Sequence, residues 1–268
     1  MIGLNYLGKM GQLGNQMFQY AALIGISKIT QTKFIIPNHH ELIVDALGNK
    51  LRIELFDAFK IQPDLIGFLP APEVREREFT FDRTFFNLPK DTDVSLVGYF
   101  QSEKYFSHVK EEVRKQFTFH DDVINDCKEI IENVYDNPIG LHVRRGDYLR
   151  NSGNHHNLSM DYYEKALLEF PQDRQVIVFT DDPEWAMNEP LFSGDRFVVS
   201  ESAGPYHDLY LMSKCNDFII ANSTYSWWGA WLAGRGKVVV PNRWFGPNNQ
   251  DKSIADLYPD HWTIIPYC

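Results

Sequence analysis

From Ile139 onward the chain alternates between short apolar runs and stretches of helical spacing, almost without interruption, as far as Val240. The runs 139–143, 175–180, 196–200, 217–221 and 237–240 are mostly apolar and rich in β-branched residues, which predicts buried strands. Between them, 160–170, 183–188, 206–215 and 226–234 predict helices. Such alternation makes a mostly parallel sheet with helices on both faces and right-handed crossovers. The earlier residues are less regular. A strand over 2–7 leads into Gly8, Gly11 and Gly14, then a helix over 15–29. Phe18, Ala21, Ala22, Gly25 and Ile29 share one face of that helix, while Met17, Leu23, Ile24 and Ile26 make it apolar nearly all round, which predicts burial. A strand at 33–36, a short helix at 52–59 and a strand at 94–100 follow. A helix capped by Ser102 then aligns Tyr105, Phe106, Val109, Val113 and Phe117, and another covers 121–133. Asp136-Asn137-Pro138 breaks the pattern and sets a domain boundary between residues 1–137 and 138–268.

Composition narrows the range of partners. A chain of 268 residues suits two modest domains. A net charge of −10 argues against broad nucleic-acid or anionic-membrane binding, so any anionic ligand must meet a local positive site. No charged start precedes a long apolar run, which predicts a cytoplasmic protein without a membrane span, leaving peripheral association open. Cys127, Cys215 and Cys268 are odd in number and widely spaced, and read as reduced thiols. The adjacent pairs His39-His40 and His155-His156 project apart, and Asp91-Thr92-Asp93 precedes a strand where a metal-binding Asp-x-Asp would follow one. No metal and no cofactor are expected.

Chemistry concentrates in Ile139-Gly-Leu-His-Val-Arg-Arg-Gly-Asp-Tyr148. His142, Arg144 and Arg145 fall where a strand ends, the side of open α/β sheets that binds ligands. Two adjacent guanidiniums suit phosphate or carboxylate oxygens; the alternative is a surface turn whose arginines pair with nearby acids. Asn222, Ser223, Thr224 and Ser226 lie between a strand end and a helix N-terminus, where unpaired N–H groups and short hydroxyls make an anion site without a cation. They outnumber what a helix cap requires. Gly11-Gln-Leu-Gly-Asn-Gln16 lacks the G-x-G-x-x-G spacing of a dinucleotide site, and no acidic residue ends the strand at 33–36. Gly14 and Asn15 instead offer backbone approach and an amide at a helix N-terminus, Asn15 being also a natural cap. Asp182-Pro183 reads as an N-cap pair, and Trp227 and Trp231 as an apolar helix face packed on the sheet.

The segment His142–Tyr148 resembles the arginine motif of the α-1,2-fucosyltransferases, the family 11 glycosyltransferases. The Gly-x-x-Gly-Asn-Gln of 11–16 is similar to that family's N-terminal signature, and protein O-fucosyltransferases carry a comparable Gly-Asn-Gln. The stretches 98–106 and 207–231 match the same family, so the resemblance runs from about Gly11 to Trp231. It implies an α/β, GT-B-like fold: two Rossmann-like domains facing a cleft, with the donor in the C-terminal domain, a mostly parallel sheet. It implies inverting, metal-independent transfer of L-fucose from GDP-fucose to the 2-hydroxyl of a galactose in a glycan. By the same analogy Arg144 holds the diphosphate with Arg145 beside it, and His142 approaches the nucleoside or phosphate. Asp208 receives guanine, whose N–H donors suit a carboxylate. Asn222, Ser223, Thr224 and Ser226 complete the phosphate cradle, and Gly14 and Asn15 meet donor sugar or acceptor. Asp147 is the nearest candidate for the base, or else a clamp on an arginine. A non-catalytic carbohydrate-binding protein and a nicotinamide oxidoreductase are the alternatives.

Overall fold

The computed structural model describes residues 1–39, 43–44, 50–134 and 136–267. His40 and Cys268, both singled out above, lie outside them. Two compact units emerge: Met1–His120 with Lys252–Pro259, and Asp121–Asp251 with Asp260–Cys268.

In the first unit, β1 (Ile2–Gly3) is followed by α1 (Leu13–Thr30) and β2 (Phe34–Ile36). A two-stranded antiparallel pair, β3 (Ile43–Val44) and β4 (Lys50–Leu51), precedes α2 (Leu55–Ala58), β5 (Leu65–Ile66), β6 (Glu73–Arg75), β7 (Val94–Val97) and α3 (Lys110–Gln116). The main sheet runs β5-β2-β1-β7-β6, all parallel, so its order reverses between β1 and β7. As the apolar pattern predicts, α1 is buried on nearly every side, although Ile29 at its end is 40% exposed. The single helix expected after Ser102 is broken: Glu103–Tyr105 and Ser107–Val109 are separate 3-10 turns before α3. Ser102 does cap the first of these, accepting from the Lys104 N–H at 3.3 Å. The backbone of Tyr105 and Phe106 presses so closely on α1 that a Cβ at Gly25 would lie 2.0 Å from the Tyr105 carbonyl oxygen. Tertiary packing on α1 has overridden helical spacing here.

The second unit opens with α4 (Asp121–Val134), then β8 (Ile139–Val143), α5 (Gly146–Arg150), α6 (Met160–Leu167), β9 (Val176–Thr180), α7 (Pro183–Asn188), β10 (Phe197–Val199), α8 (Pro205–Lys214), β11 (Asp217–Ile219), α9 (Thr224–Ala233), β12 (Val238–Pro241) and β13 (Thr263–Ile265). Its sheet is β10-β9-β8-β11-β12-β13, again all parallel. Counted within the unit this is 3-2-1-4-5-6, the doubly wound order, and it reverses between β8 and β11. All five residues of β8 are buried, as a strand covered on both faces must be. Ile139, Leu141, Val178, Ile219 and Val239 share one core with Tyr162. The edge strand β13, with Ile264 51% exposed, escaped the sequence pattern because it is short and half solvated.

The boundary expected at 137/138 falls inside the second unit. Helix α4 belongs there because it packs on α8: the Cys127 thiol lies 3.9 Å from the His207 carbonyl oxygen, and His207 Nε2 lies 3.2 Å from Asp126. Pro138 interrupts the chain without interrupting the packing. The segment Lys252–Pro259 returns to the first unit, where Asp256 accepts from the Phe81 N–H at 2.9 Å and pairs with Lys104.

Candidate active site

The sheet reversal in the second unit brings together the two stretches that carry its chemistry. Beyond the end of β8, Arg144 donates from Nη2 to Asp147 Oδ1 at 2.7 Å, and its Nη1 lies 3.2 Å from Asp181 Oδ2. Asp181 follows the neighbouring strand β9, so the clamp spans two strand ends. Gly146 makes room for it, since a Cβ there would sit 2.4 Å from Asp181 Oδ2. Burial by itself would depress the Arg144 guanidinium, but Asp181 and Asp147 outweigh burial and hold it charged. Gly146 and Asp147 open the short helix α5.

Arg145 turns elsewhere. Its Nε donates to Asp182 Oδ2 at 3.1 Å, and its guanidinium lies 3.9 Å from the Trp185 ring centroid. Asp182 also caps α7, accepting from the Trp185 N–H, with Pro183 in the first turn. Arg145 therefore joins β8 to α7, and both arginines pair with nearby acids, Arg144 with Asp147 and Asp181 and Arg145 with Asp182.

Across the reversal, β11 ends at Ile219, Asn222 and Ser223 follow it, and α9 begins at Thr224. The Ser223 side chain makes no capping bond to the helix, so the first turn of α9 is uncapped by it. Thr224 and Tyr225 are partly exposed there. Asn222 and Ser226 behave differently. The buried Asn222 amide donates to the carbonyls of His156 and Trp244, each at 2.8 Å, and accordingly anchors loops. The Ser226 hydroxyl is fully buried and reaches the Ser223 carbonyl at 3.3 Å. Tyr148 ties both sides together, donating its hydroxyl to the Asn222 carbonyl at 3.0 Å while its ring lies 5.5 Å from the Arg144 guanidinium. Trp227 and Trp231 are buried in the core, as an apolar helix face requires.

His142, the fourth residue of β8, is 3% exposed, and its Nδ1 finds no hydrogen-bond partner among the described residues. Burial, reinforced by the Arg144 charge, pushes its pKa down to about 3. At neutral pH the ring is therefore uncharged, and acts as a hydrogen-bonding group only. The Tyr225 ring lies 5.5 Å from it, and the Tyr225 hydroxyl donates to the Pro205 carbonyl at the start of α8. On that helix, Asp208 accepts from the Ser200 hydroxyl at 2.6 Å; burial raises its pKa against the lowering effect of Ser200 and Ser202. His142, Arg144, Ser223, Thr224 and Asp208 thus form one neighbourhood, linked by Tyr148 and Tyr225. Sequence reasoning missed those two tyrosines and Asp181. The usable signal for Asp181 was its place after a strand next to β8.

In the first unit, Gln12 holds the N-cap position of α1 but its side chain does not cap the helix, and Asn15 sits within the first turn. The capping role weighed for Asn15 is therefore not the one it has. Glu54 accepts from the Leu13 N–H at 2.8 Å, so a carboxylate of the chain itself already meets this helix terminus. Gln16 donates to the Arg52 and Gly11 carbonyls and accepts from the Glu54 N–H, fastening the glycine-rich loop. Gly14 is buried inside the helix. Asn15 accepts from Gln101 Nε2 at 2.7 Å and lies against Gly11, whose φ of +89° and absent side chain the contact requires.

Among the described residues no cluster of three or more metal-ligating side chains occurs, and no helix is long and apolar enough to cross a membrane.

Two parallel α/β sheets, one of them doubly wound with a guanidinium and an open helix terminus at its reversal, are the architecture of GT-B-like glycosyltransferases. Solved structures agree at the level of fold. POFUT1 in complex with GDP aligns with a TM-score of 0.55 at 12% identity, covering 87% of this chain and 94% of that one. NodZ α-1,6-fucosyltransferase soaked with GDP-fucose aligns with a TM-score of 0.53 at 14% identity, covering 82% and 89%. The chain belongs to glycosyl transferase family 11, whose model matches residues 1–266. It is 35% identical to the O-antigen biosynthesis glycosyltransferase WbnK of Escherichia coli, over 92% of this chain and 97% of that protein. It is 29% identical to an α-1,2-colitosyltransferase of Escherichia coli, over 95% and 96%. To galactoside α-(1,2)-fucosyltransferase 1 of Alouatta caraya it is 28% identical, over 87% of this chain and 66% of that protein.

Proposed function

We propose that this glycosyltransferase moves L-fucose from GDP-fucose to the 2-hydroxyl of a galactose residue in a glycan, with inversion and without a metal. The observation that carries the reading is Arg144, clamped by Asp147 and Asp181 beside the uncapped start of α9 at the reversal of a doubly wound sheet. In that reaction the acceptor oxygen attacks the anomeric carbon from the face opposite the nucleotide. The bond from that carbon to the phosphate oxygen breaks, its electron pair leaves on GDP, and the proton of the acceptor hydroxyl passes to solvent water. Arg144 and the α9 N–H groups, with Ser223 and Thr224, stabilise that growing charge, as a metal does elsewhere. Neutral His142 offers its Nδ1 to the nucleotide. Asp208, beyond Tyr225, supplies the carboxylate for the guanine N–H groups. Asn15 contacts sugar. Asp147 has already committed one oxygen to Arg144, so we assign it to orienting that guanidinium in place of acting as base.

Incubation with GDP-fucose and a β-galactoside, followed by linkage analysis of the product by NMR, tests the reading. An α-1,2-linked fucoside is expected; absence of both transfer and GDP binding would refute it. The similarity to a colitosyltransferase favours a second reading, in which the same leaving group carries a different deoxyhexose. Direct competition between the two donors separates the two readings.

A further inference from the structure

We propose that a cavity of about 480 Å³ in the first unit, lined by Asn5, Tyr6, Lys9, Phe68, Glu73 and the 70–72 segment, is a saccharide subsite. It seats a pyranose of the acceptor glycan. The inference rests on the transferase reading and extends it to the substrate whose binding residues the motifs leave unassigned.

The first observation is Phe68, which is 72% exposed. Isolated exposed apolar side chains are ordinary, but this one stands on backbone pinned at both sides. The Gly67 N–H donates to the Ile36 carbonyl at 2.8 Å. Leu69 is bonded twice to the buried Asn5 side chain: its N–H donates to Asn5 Oδ1 at 3.1 Å, and its carbonyl accepts from Asn5 Nδ2 at 2.8 Å. Leu69 itself is buried against Gly3 of β1. A large ring held out to solvent by fixed backbone loses little conformational freedom on binding.

The second observation is the polar rim. The Tyr6 hydroxyl donates to Glu73 Oε1 at 2.8 Å, and Glu73 also pairs with Arg75. A carboxylate has about four acceptor positions, so Glu73 retains capacity for hydroxyl donors. Lys9 adds an ammonium to the same wall, and Pro70 and Pro72 stiffen it. A pyranose presents an apolar C–H face and a ring of equatorial hydroxyls, and an aromatic plate beside a carboxylate and an ammonium matches both. The cavity size falls in the range of small-ligand sites.

The third observation is position. Tyr6 and Lys9 belong to the turn that leaves β1, where the Lys9 N–H donates to the Tyr6 carbonyl at 2.9 Å. β1 is the strand at which this sheet reverses, and the same turn continues into Gly11 and Asn15. The cavity thus opens beside the turn that follows β1, with the start of β6 as its other wall.

Saturation-transfer NMR with lactose and N-acetyllactosamine, without donor, on wild type, Phe68→Ala and Glu73→Gln provides the test. Both sugars should contact wild type and lose contact in Phe68→Ala. In turnover assays the acceptor KM should rise about tenfold in Phe68→Ala, the effect of losing roughly 1.4 kcal/mol of stacking. The KM for GDP-fucose and kcat should stay within about twofold. Because Phe68 is exposed, unchanged melting of the variant confirms folding. Absence of sugar contact with wild type, equal contact in the variants, or an unchanged acceptor KM would overturn the subsite. GDP protection against thermal unfolding reports separately on the second unit, so loss of that protection in wild type condemns the transferase reading and not the saccharide contact.

Discussion

Arg144 is the residue at which charge, geometry and sequence motif coincide. Replacing it with alanine leaves Asp147 and Asp181 without their shared cation and removes the charge proposed to meet the leaving group. Arg144→Ala should lower kcat/KM by at least about a hundredfold, the usual cost of deleting one electrostatic stabiliser, and weaken GDP affinity. Wild-type turnover in the purified variant would reject the site. A second residue-level consequence lies in the first unit. Burial pushes the Glu76 carboxyl up to about 7 from an ordinary 4.5, against the lowering effect of the Tyr99 and Phe100 N–H groups it accepts from. The folded pKa is thus above the unfolded one. Its contribution to stability is whole below about 4.5 and is lost as pH rises through about 7. Melting curves from pH 5 to 8 should therefore show Glu76→Gln gaining on wild type as pH rises, by on the order of 2–3 kcal/mol. A constant gap would mean that Glu76 does not titrate there.

Among the elements, the glycine-rich turn before α1 shows how much of a site a sequence can reveal. Gly11, Gly14 and Asn15 were legible as a unit, but their division of labour was not. Gly11 exists for its positive φ and for contact with Asn15, Gly14 is core, and Gln16 is the fastener. A Cβ at Gly11 would lie 2.1 Å from Asn15 Nδ2. Gly11→Ala should displace Asn15, cost more than about 1 kcal/mol of stability, and reduce transfer while GDP binding persists. Intact kinetics would show that Asn15 has no part in sugar contact. The same limit appears at β8. That strand matched its expected bounds because five apolar or buried positions in a row leave little choice. The roles of Arg144 and Arg145 did not follow from adjacency, because the partners of each, Asp181 and Asp182, come from the end of another strand.

For the molecule as a whole, the proposed chemistry depends on fixed charges and helix N–H groups, so dialysis against EDTA should leave transfer unchanged. Loss of activity restored by manganese would contradict that. Several properties were settled by the chain alone. Alternating apolar runs dictated the α/β class and the burial of inner strands such as β8 and β12. These are short-range matters of period and composition, and solvent exclusion enforces them wherever the elements end up. Only the folded molecule decided that β8 and β11 are neighbours, that α4 joins the second unit, and that Lys252–Pro259 returns to the first. It also paired each arginine with a different acid beyond β9 and left Phe68 held out to solvent. Those outcomes depend on contacts between residues tens to hundreds of positions apart, and no local period encodes which strand end will face which.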